Sequence, residues 1–312
     1  MELRKDYILN RYVIVSEARG KRPHELFPKK IEEVGICMFC PGNESMTPPE
    51  IARIGDGKGG WRIRIFPNKF PAALPEGQPA VRTDNRFFSF ADAYGIHEIV
   101  VETADHKKQL ADLSSGELTE LLSVWIARIA ALRALPNINY VSVFKNHGLE
   151  AGTSIVHSHT QIIAHALPPP AVLEELSAIK SWPSCPYCDI IAIEKGSLRR
   201  CFENERFVAF TPYASRFHYE VWIFPKEHIN ELGALDQASL AALAQIMKAT
   251  LARLASFKAP YNMFLHWHPD SAYHFHIEIC PRTAIWAGFE FCSGIVINSM
   301  SPEEAARFYR GE

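Results

Sequence analysis

The sequence lacks most of the features that would assign its class at a glance. It has no basic excess, with Lys+Arg at 33 against Asp+Glu at 35 and a net charge of -2, so nothing advertises a nucleic-acid surface. No apolar run approaches the roughly 20 residues that span a bilayer, and the opening MELRKDYILNRY lacks the apolar stretch of a signal peptide. Collagen-like and mucin-like repeats are missing, and a 47% hydrophobic content excludes a disordered chain. Cysteine is scarce and odd in number, seven in 312 residues, which argues against a disulfide framework. A globular, cytoplasmic chain is expected, with neither nucleic acid nor membrane as partner. Its length suits two domains or one duplicated unit.

The few cysteines are not scattered. Four form two C-x-x-C pairs, Cys37-Met-Phe-Cys40 and Cys185-Pro-Tyr-Cys188. That spacing lets two thiolates meet one tetrahedral ion and leaves two positions for other ligands. The rival is a thioredoxin-like redox pair, which should open a helix after a strand. Cys185 instead follows the loop-like Ser181-Trp-Pro-Ser184. With 13 histidines in the chain, metal is the favoured reading.

The second half restates the first. Glu98 falls on Glu220, His106 on His228, Leu110 on Leu232, Leu118 on Leu240 and Leu121 on Leu243, at a constant offset of 122. Each copy predicts an apolar strand, a loop ending in His, and a leucine-patterned helix, over about 114–132 and 236–255. Each ends in a strand with two histidines, His157-Ser-His159 and His274-Phe-His276. The expected fold is therefore a duplicated α+β unit, joined through 166–184, where Pro168-Pro-Pro170 cannot lie inside a helix or a central strand.

Residues two apart on a strand share a face, so one histidine of each pair can complete a metal site while its neighbour faces substrate. The first tetrad is Cys37, Cys40, His106 and His157; the second is Cys185, Cys188, His228 and His274. Two thiolates and two imidazoles make a closed structural Zn²⁺ site. For a single histidine an ordinary core or surface role would be the better reading; four residue types recurring in one order outweigh it. His97, His165, His218 and His266 fall outside the pattern and read as structural or surface residues. His159 is the candidate nucleophile toward phosphorus, since an imidazole held at one nitrogen attacks with the other. It follows Asn146-His-Gly148-Leu-Glu-Ala-Gly152-Thr-Ser154, a loop suited to bringing backbone N–H groups to phosphate oxygens.

The run FKNHGLEAGTSIVHSHTQ, 144–161, resembles the active-site segment of the galactose-1-phosphate uridylyltransferases, duplicated members of the histidine-triad superfamily. Arg19-Gly-Lys-Arg22-Pro, Phe66-Pro-Asn68-Lys-Phe70, Asp105-His106 and Gly288-Phe-Glu290 match in order. The resemblance implies two histidine-triad-like domains, 1–167 and 168–312, with two mostly antiparallel sheets and packed helices. It makes His159 the nucleophile on the α-phosphorus of UDP-glucose, His157 a zinc ligand, and Gln161 a donor to the phosphoryl oxygens. Glutamine cannot shuttle a proton, so the intermediate should await a second phosphate, giving transfer rather than hydrolysis. Asn68, Asn146, Gly152 and Ser154 would hold the nucleotide, Arg19 and Arg22 phosphate, and Glu290 the hexose.

The implied reaction is UDP-glucose with galactose 1-phosphate giving glucose 1-phosphate and UDP-galactose, ping-pong through uridylyl-His159, in a homodimer carrying Zn²⁺. Two departures bear on it. The family's other known second metal site, a glutamate with three histidines, has candidates in Glu175, His268, His274 and His276; the second C-x-x-C favours the two-zinc version, leaving iron at, or no metal in, the second site as alternatives. Where a lysine approaches the sugar phosphate in the family, this chain has Thr283-Ala-Ile-Trp-Ala287, closer to two-zinc relatives such as ADP-glucose phosphorylases. The alternative is thus an ADP-glucose or dinucleotide polyphosphate phosphorylase using the same histidine. A zinc-stabilised binding module without turnover would have no need of His159.

Overall fold

The computed structural model describes residues 1–17 and 35–312; Arg19 and Arg22 lie outside the described residues. Strands form where β-branched and aromatic residues cluster: Glu2–Lys5 (β1), Tyr12–Val15 (β2), Ala52–Gly55 (β3), Trp61–Pro67 (β4), Arg82–Thr83 (β5), Ser89–Phe90 (β6), Gly95–Val101 (β7), Tyr140–His147 (β8) and His159–His165 (β9). Arg200–Glu203 (β10), Phe207–Phe210 (β11), Val221–Pro225 (β12), Tyr261–His266 (β13), His276–Pro281 (β14) and Val296–Asn298 (β15) follow. The helices are Ser115–Arg133 (α1), Pro170–Lys180 (α2), Pro186–Glu194 (α3), Gln237–Ala255 (α4), Gly288–Ser293 (α5) and Pro302–Arg310 (α6).

The two predicted leucine-rich helices are α1 and α4, and each starts on a side-chain cap. The Ser114 hydroxyl accepts from the Glu117 N–H while Glu117 reaches back, and the Asp236 carboxylate accepts from the Ser239 N–H. Pro170 opens α2, where its missing N–H costs nothing.

Ten strands make one antiparallel sheet in the order β10-β11-β12-β14-β13-β8-β9-β7-β4-β3. Read from either edge to the middle, the order is the same: β3, β4, β7, β9, β8 in one copy and β10, β11, β12, β14, β13 in the other. The two expected sheets therefore meet edge to edge at a β8/β13 seam, where Asn146 faces Asn262 and Phe144 faces Phe264. Pairing these two edges removes unpaired backbone at the centre of the sheet and leaves β3 and β10 as its outer edges.

One sheet face is covered by helices. Ile162, Ala164, Val141, Val143, Ile277 and Ile279 pack with Leu118, Leu121, Trp125, Leu243, Met247 and Leu251 of α1 and α4 in one core. Residues of opposite parity on the same strands, among them His159, Gln161, Asn146 and Asn262, therefore project from the other face. A separate three-stranded sheet, β1-β2-β15, brings the first strands beside the last one, with β15 parallel to β2.

Candidate active site and metal centres

Both C-x-x-C pairs stand next to the histidines that the repeat assigns to them. The ligand atoms of Cys37, Cys40, His106 and His157 lie within 4.8 Å of one another, as do those of Cys185, Cys188, His228 and His274. His157 Nδ1 is 3.7 Å from Cys37 Sγ and 3.6 Å from Cys40 Sγ; His274 Nδ1 is 3.7 and 3.6 Å from Cys185 and Cys188. Tetrahedral zinc with ordinary Zn–S and Zn–N bonds needs donor–donor separations of about 3.3–3.8 Å, so the donor set fits that ion.

The outer nitrogens fix the ring orientation. His157 Nε2 lies 2.7 Å from the Thr103 carbonyl, His228 Nε2 2.8 Å from that of Ser271, and His274 Nε2 3.1 Å from that of Pro225. A carbonyl only accepts, so each Nε2 carries the proton and each Nδ1 lone pair turns toward the thiols. One local expectation fails: Cys185 does cap a helix, α3, because Pro186 suits its first position. Its thiol nevertheless faces His274 rather than standing alone.

The glutamate-and-histidine alternative is also partly assembled, with different members. Glu175, His266 and His276 converge within 4.8 Å, whereas His268 accepts from the Asp270 N–H and His274 belongs to the cysteine site. Glu175 further accepts from the Tyr187 and Tyr273 hydroxyls. Burial would raise its carboxyl, but His266 and His276 hold it down at about 2. His266, expected to be structural or surface, belongs to this group. Its position in the strand, with no partner in the repeat, hid it.

His159 opens β9 and is 8% exposed, on the wall of a cavity of about 370 Å³. Gly148, Thr153, Ile155, Val156 and Asn146 line it too. Gly148 and Gly152 take φ of +87° and +88°, and a Cβ on Gly148 would stand 2.6 Å from Pro260, so the turn requires glycine. Among the described residues the N–H groups of Ile155 and Val156 have no partner. They are free to meet an anion.

His159 Nδ1 lies 2.8 Å from the His157 carbonyl, so Nδ1 carries the proton, and among the described residues the Nε2 lone pair has no partner. Burial, reinforced by the nearby Lys145 ammonium, lowers its pKa to about 4 and keeps the ring neutral near pH 7. Phe39 packs edge-on against it at 5.4 Å. Gln161, the next residue on the same face, is oriented by His97, which sequence reasoning set aside as structural or surface. The Ala72 N–H donates to His97 Nδ1 at 3.1 Å, so His97 Nε2 carries the proton and donates to Gln161 Oε1 at 2.9 Å. That engages the amide oxygen and leaves the NH₂ for an incoming oxygen. The Asn68 amide is 3.1 Å from the same His97 nitrogen.

Beneath the histidines is a buried pair that no motif announced. Lys145 Nζ donates to Glu102 Oε2 at 2.8 Å, Ser158 Oγ at 3.0 Å and the His159 carbonyl at 3.0 Å. Glu102 also accepts from the Ser158 and Thr160 hydroxyls. Burial favours the neutral Glu102 acid, but Lys145 and the hydroxyls outweigh it and hold the carboxyl below its ordinary range. The pair thus pins the backbone on either side of His159. Glu102→Gln should cost about 3–5 kcal/mol in urea unfolding, since it strands a buried ammonium, and Glu102→Leu with Lys145→Met should recover most of it. A single-mutant cost below about 1 kcal/mol would show the strand is held by other contacts.

Of the remaining expected contacts, Gly152 caps the loop turn, Ser154 follows it, and Glu290 caps α5 through the Ala287 N–H at 2.9 Å. None of these three lines the cavity at His159.

The model for the galactose-1-phosphate uridyl transferase N-terminal domain matches residues 2–169, and a domain of unknown function matches 87–307. The chain is 31% identical to an ADP-glucose phosphorylase of Arabidopsis thaliana, over 99% of this chain and 92% of that one. It is 30% identical to a galactose-1-phosphate uridylyltransferase of Thermotoga maritima, over 99% and 98%. The crystal structure of an Arabidopsis ADP-glucose phosphorylase with bound ADP-glucose superposes with a TM-score of 0.86 at 31% identity, covering 100% of this chain and 98% of that chain. A uridylyltransferase structure superposes at 0.77 and 31%, again covering 100% and 98%.

Proposed function

The chain belongs to the galactose-1-phosphate uridyl transferase family, and on that premise we propose that it moves a nucleoside monophosphate between phosphate acceptors through a covalent bond to His159. Our first reading is UMP exchange between UDP-glucose and galactose 1-phosphate. The observation that carries the chemistry is the His159 ring, fixed at Nδ1 by the His157 carbonyl with Nε2 left over.

Nε2 attacks the α-phosphorus, the P–O bond to the sugar phosphate breaks, and the leaving oxygen keeps the electron pair. The resulting N-phosphoryl imidazolium keeps its Nδ1 proton on the His157 carbonyl, so the histidine itself requires no proton transfer. The Gln161 NH₂ and the Ile155 and Val156 amides would take up the charge on the phosphoryl oxygens. An acceptor phosphate then reverses the step. Two zinc ions would be structural, one held by Cys37, Cys40, His106 and His157, the other by Cys185, Cys188, His228 and His274, bracing the strands and loops that hold His159 and α3. Arg19 and Arg22 toward phosphate, and Glu290 toward the hexose, complete the reading.

A second reading keeps His159 and changes the substrates to ADP-glucose and phosphate. The higher TM-score against the ADP-glucose phosphorylase favours it, as does the lysine-free 283–287 stretch. Intact mass after brief mixing, quenched at alkaline pH, separates the two. A gain of one UMP from UDP-glucose supports the first reading; a gain of one AMP from ADP-glucose alone replaces it with the second. No adduct from either would sink both.

Two copies would associate as a homodimer in the cytoplasm. Exposed Phe87, Phe88 and Phe90 around the β5–β6 hairpin support the association, and no helix among the described residues is long and apolar enough to cross a membrane.

A further inference from the structure

Arg282 stands out among the buried and half-buried arginines. Arg216 has Glu278 at 3.0 Å, Arg199 has Glu194 at 2.8 Å, Arg128 has Glu98 at 2.6 Å and Arg64 has Glu50 at 3.1 Å. Among the described residues Arg282 has no carboxylate at ion-pair distance, and its Nε is buried with no hydrogen-bond partner. Its one side-chain bond among the described residues runs from Nη1 to the neutral Asn262 Oδ1, a long 3.4 Å, while the guanidinium lies over Phe217 at 5.3 Å. A buried donor left unmatched costs free energy that an arriving anion would recover.

The place of this arginine relates it to the reacting histidine. Across the sheet, Phe144 pairs with Gln161, Asn146 with Asn262, and Asn262 with Cys280. One step of two residues from the Phe144–Gln161 pair puts Asn146 beside His159 on the same face. With strands about 4.8 Å apart, Asn262 stands about 10 Å from His159 along this row. Arg282 leaves β14 with its N–H on the Pro260 carbonyl at 2.7 Å and turns its side chain back to Asn262. Asn262 in turn donates to Asn146 Oδ1 at 2.9 Å and to the Ala151 carbonyl of the glycine loop at 2.8 Å. Arg282, Asn262, Asn146 and Phe217 line a cavity of about 440 Å³ that shares Lys145 and Asn146 with the cavity at His159.

We propose that Arg282, steadied by Asn262, is an anion subsite for the phosphate that leaves and enters opposite His159. The ligand class is a phosphate dianion, free or esterified to a sugar, which the planar guanidinium fork fits. This rests on the reading of His159 as nucleophile. In the second half-reaction an oxygen of that phosphate attacks the α-phosphorus; the P–O bond forms, the P–N bond breaks, and the electron pair returns to Nε2, restoring the neutral ring. Arg282 holds the attacking phosphate and offsets its charge against that of the nucleotide.

The test uses isolated nucleotidyl-enzyme, made from whichever donor the wild type accepts. Discharge of the adduct is followed by mass across concentrations of inorganic phosphate, galactose 1-phosphate and glucose 1-phosphate in separate arms. Arg282→Gln should still form the adduct, at a higher donor concentration, and should need roughly 10- to 100-fold more acceptor for half-maximal discharge. Arg282→Lys should recover part of the loss. The arm that discharges identifies the source of the phosphate. Equal acceptor dependence in wild type and Arg282→Gln would overturn the subsite. Calorimetric titration of the unreacted full chain with the same three compounds separates the two readings. Binding lost in Arg282→Gln but kept in His159→Ala supports the subsite even where no adduct forms, and equal binding in wild type and Arg282→Gln refutes it.

Discussion

His159→Ala should lose the covalent nucleotide adduct and at least roughly four orders of magnitude of turnover while remaining folded. On the proposed mechanism the side chain is a reagent: its Nδ1 is committed to the His157 carbonyl, and among the described residues its Nε2 has no partner. Deleting it removes one neutral hydrogen bond and a packing contact with Phe39, a cost of about 1–3 kcal/mol. For a chain of this size that is a fall in Tm of about 10 °C at most. Mass spectrometry of the quenched mixture and a thermal melt on the same sample check both halves. A variant that still turns over at a tenth of the wild-type rate would remove His159 from the mechanism, whatever its stability.

Loss of a metal ligand should invert that pattern. Bound zinc contributes about 10 kcal/mol or more where its site forms only in the folded chain, comparable with a whole native margin of about 5–15 kcal/mol. Cys188→Ser should therefore lower the metal content from two ions per chain to one and drop Tm by about 10 °C or more. The folded fraction should still form the adduct, because that site braces α3, β12 and β14, and His159 lies in the other copy. Cys37→Ser should lose the metal and the adduct together. Its site includes His157, whose carbonyl holds the His159 ring, and it sits beside Phe39, which packs on that ring. Metal analysis, melting and adduct mass on the two variants give the comparison. Wild-type stability and metal content in Cys188→Ser would refute the second centre.

The parts of this architecture that were readable in advance are those with a period or a copy. Leucine spacing marked α1 and α4, and recurrence in one order marked the eight metal-ligand candidates, because each was supported by a counterpart 117 to 148 residues away. What escaped had neither. Lys145 on β8 and Glu102 just past the end of β7 come to flank β9 only after the sheet closes, and no local pattern links them. His97 looks like any strand histidine until β7 pairs with β9 and sets it beside Gln161. The helix at Cys185 was hidden by two prolines that look like a loop, although one of them suits a helix start. Joining of the two sheets is likewise a matter of edges, and the backbone atoms that pair at β8/β13 are the same for every residue type but proline.

The β8/β13 seam has the form of a subunit interface taken inside one polypeptide. Equivalent strands of two equivalent units meet antiparallel there, as they would in a two-fold dimer, and the covalent connection keeps the partner at a high effective concentration. In a dimer of identical chains, any change in one unit is forced on the other. Fusion lifts that constraint. One copy keeps the glycine loop ahead of His157 and His159, whereas its counterpart before His274 and His276 reads His268-Pro-Asp-Ser-Ala-Tyr273 without a glycine, and fully buries His276 between Phe224 and His266. The symmetry survives in the strand order, and on the proposed mechanism the second unit is the half that holds rather than the half that reacts.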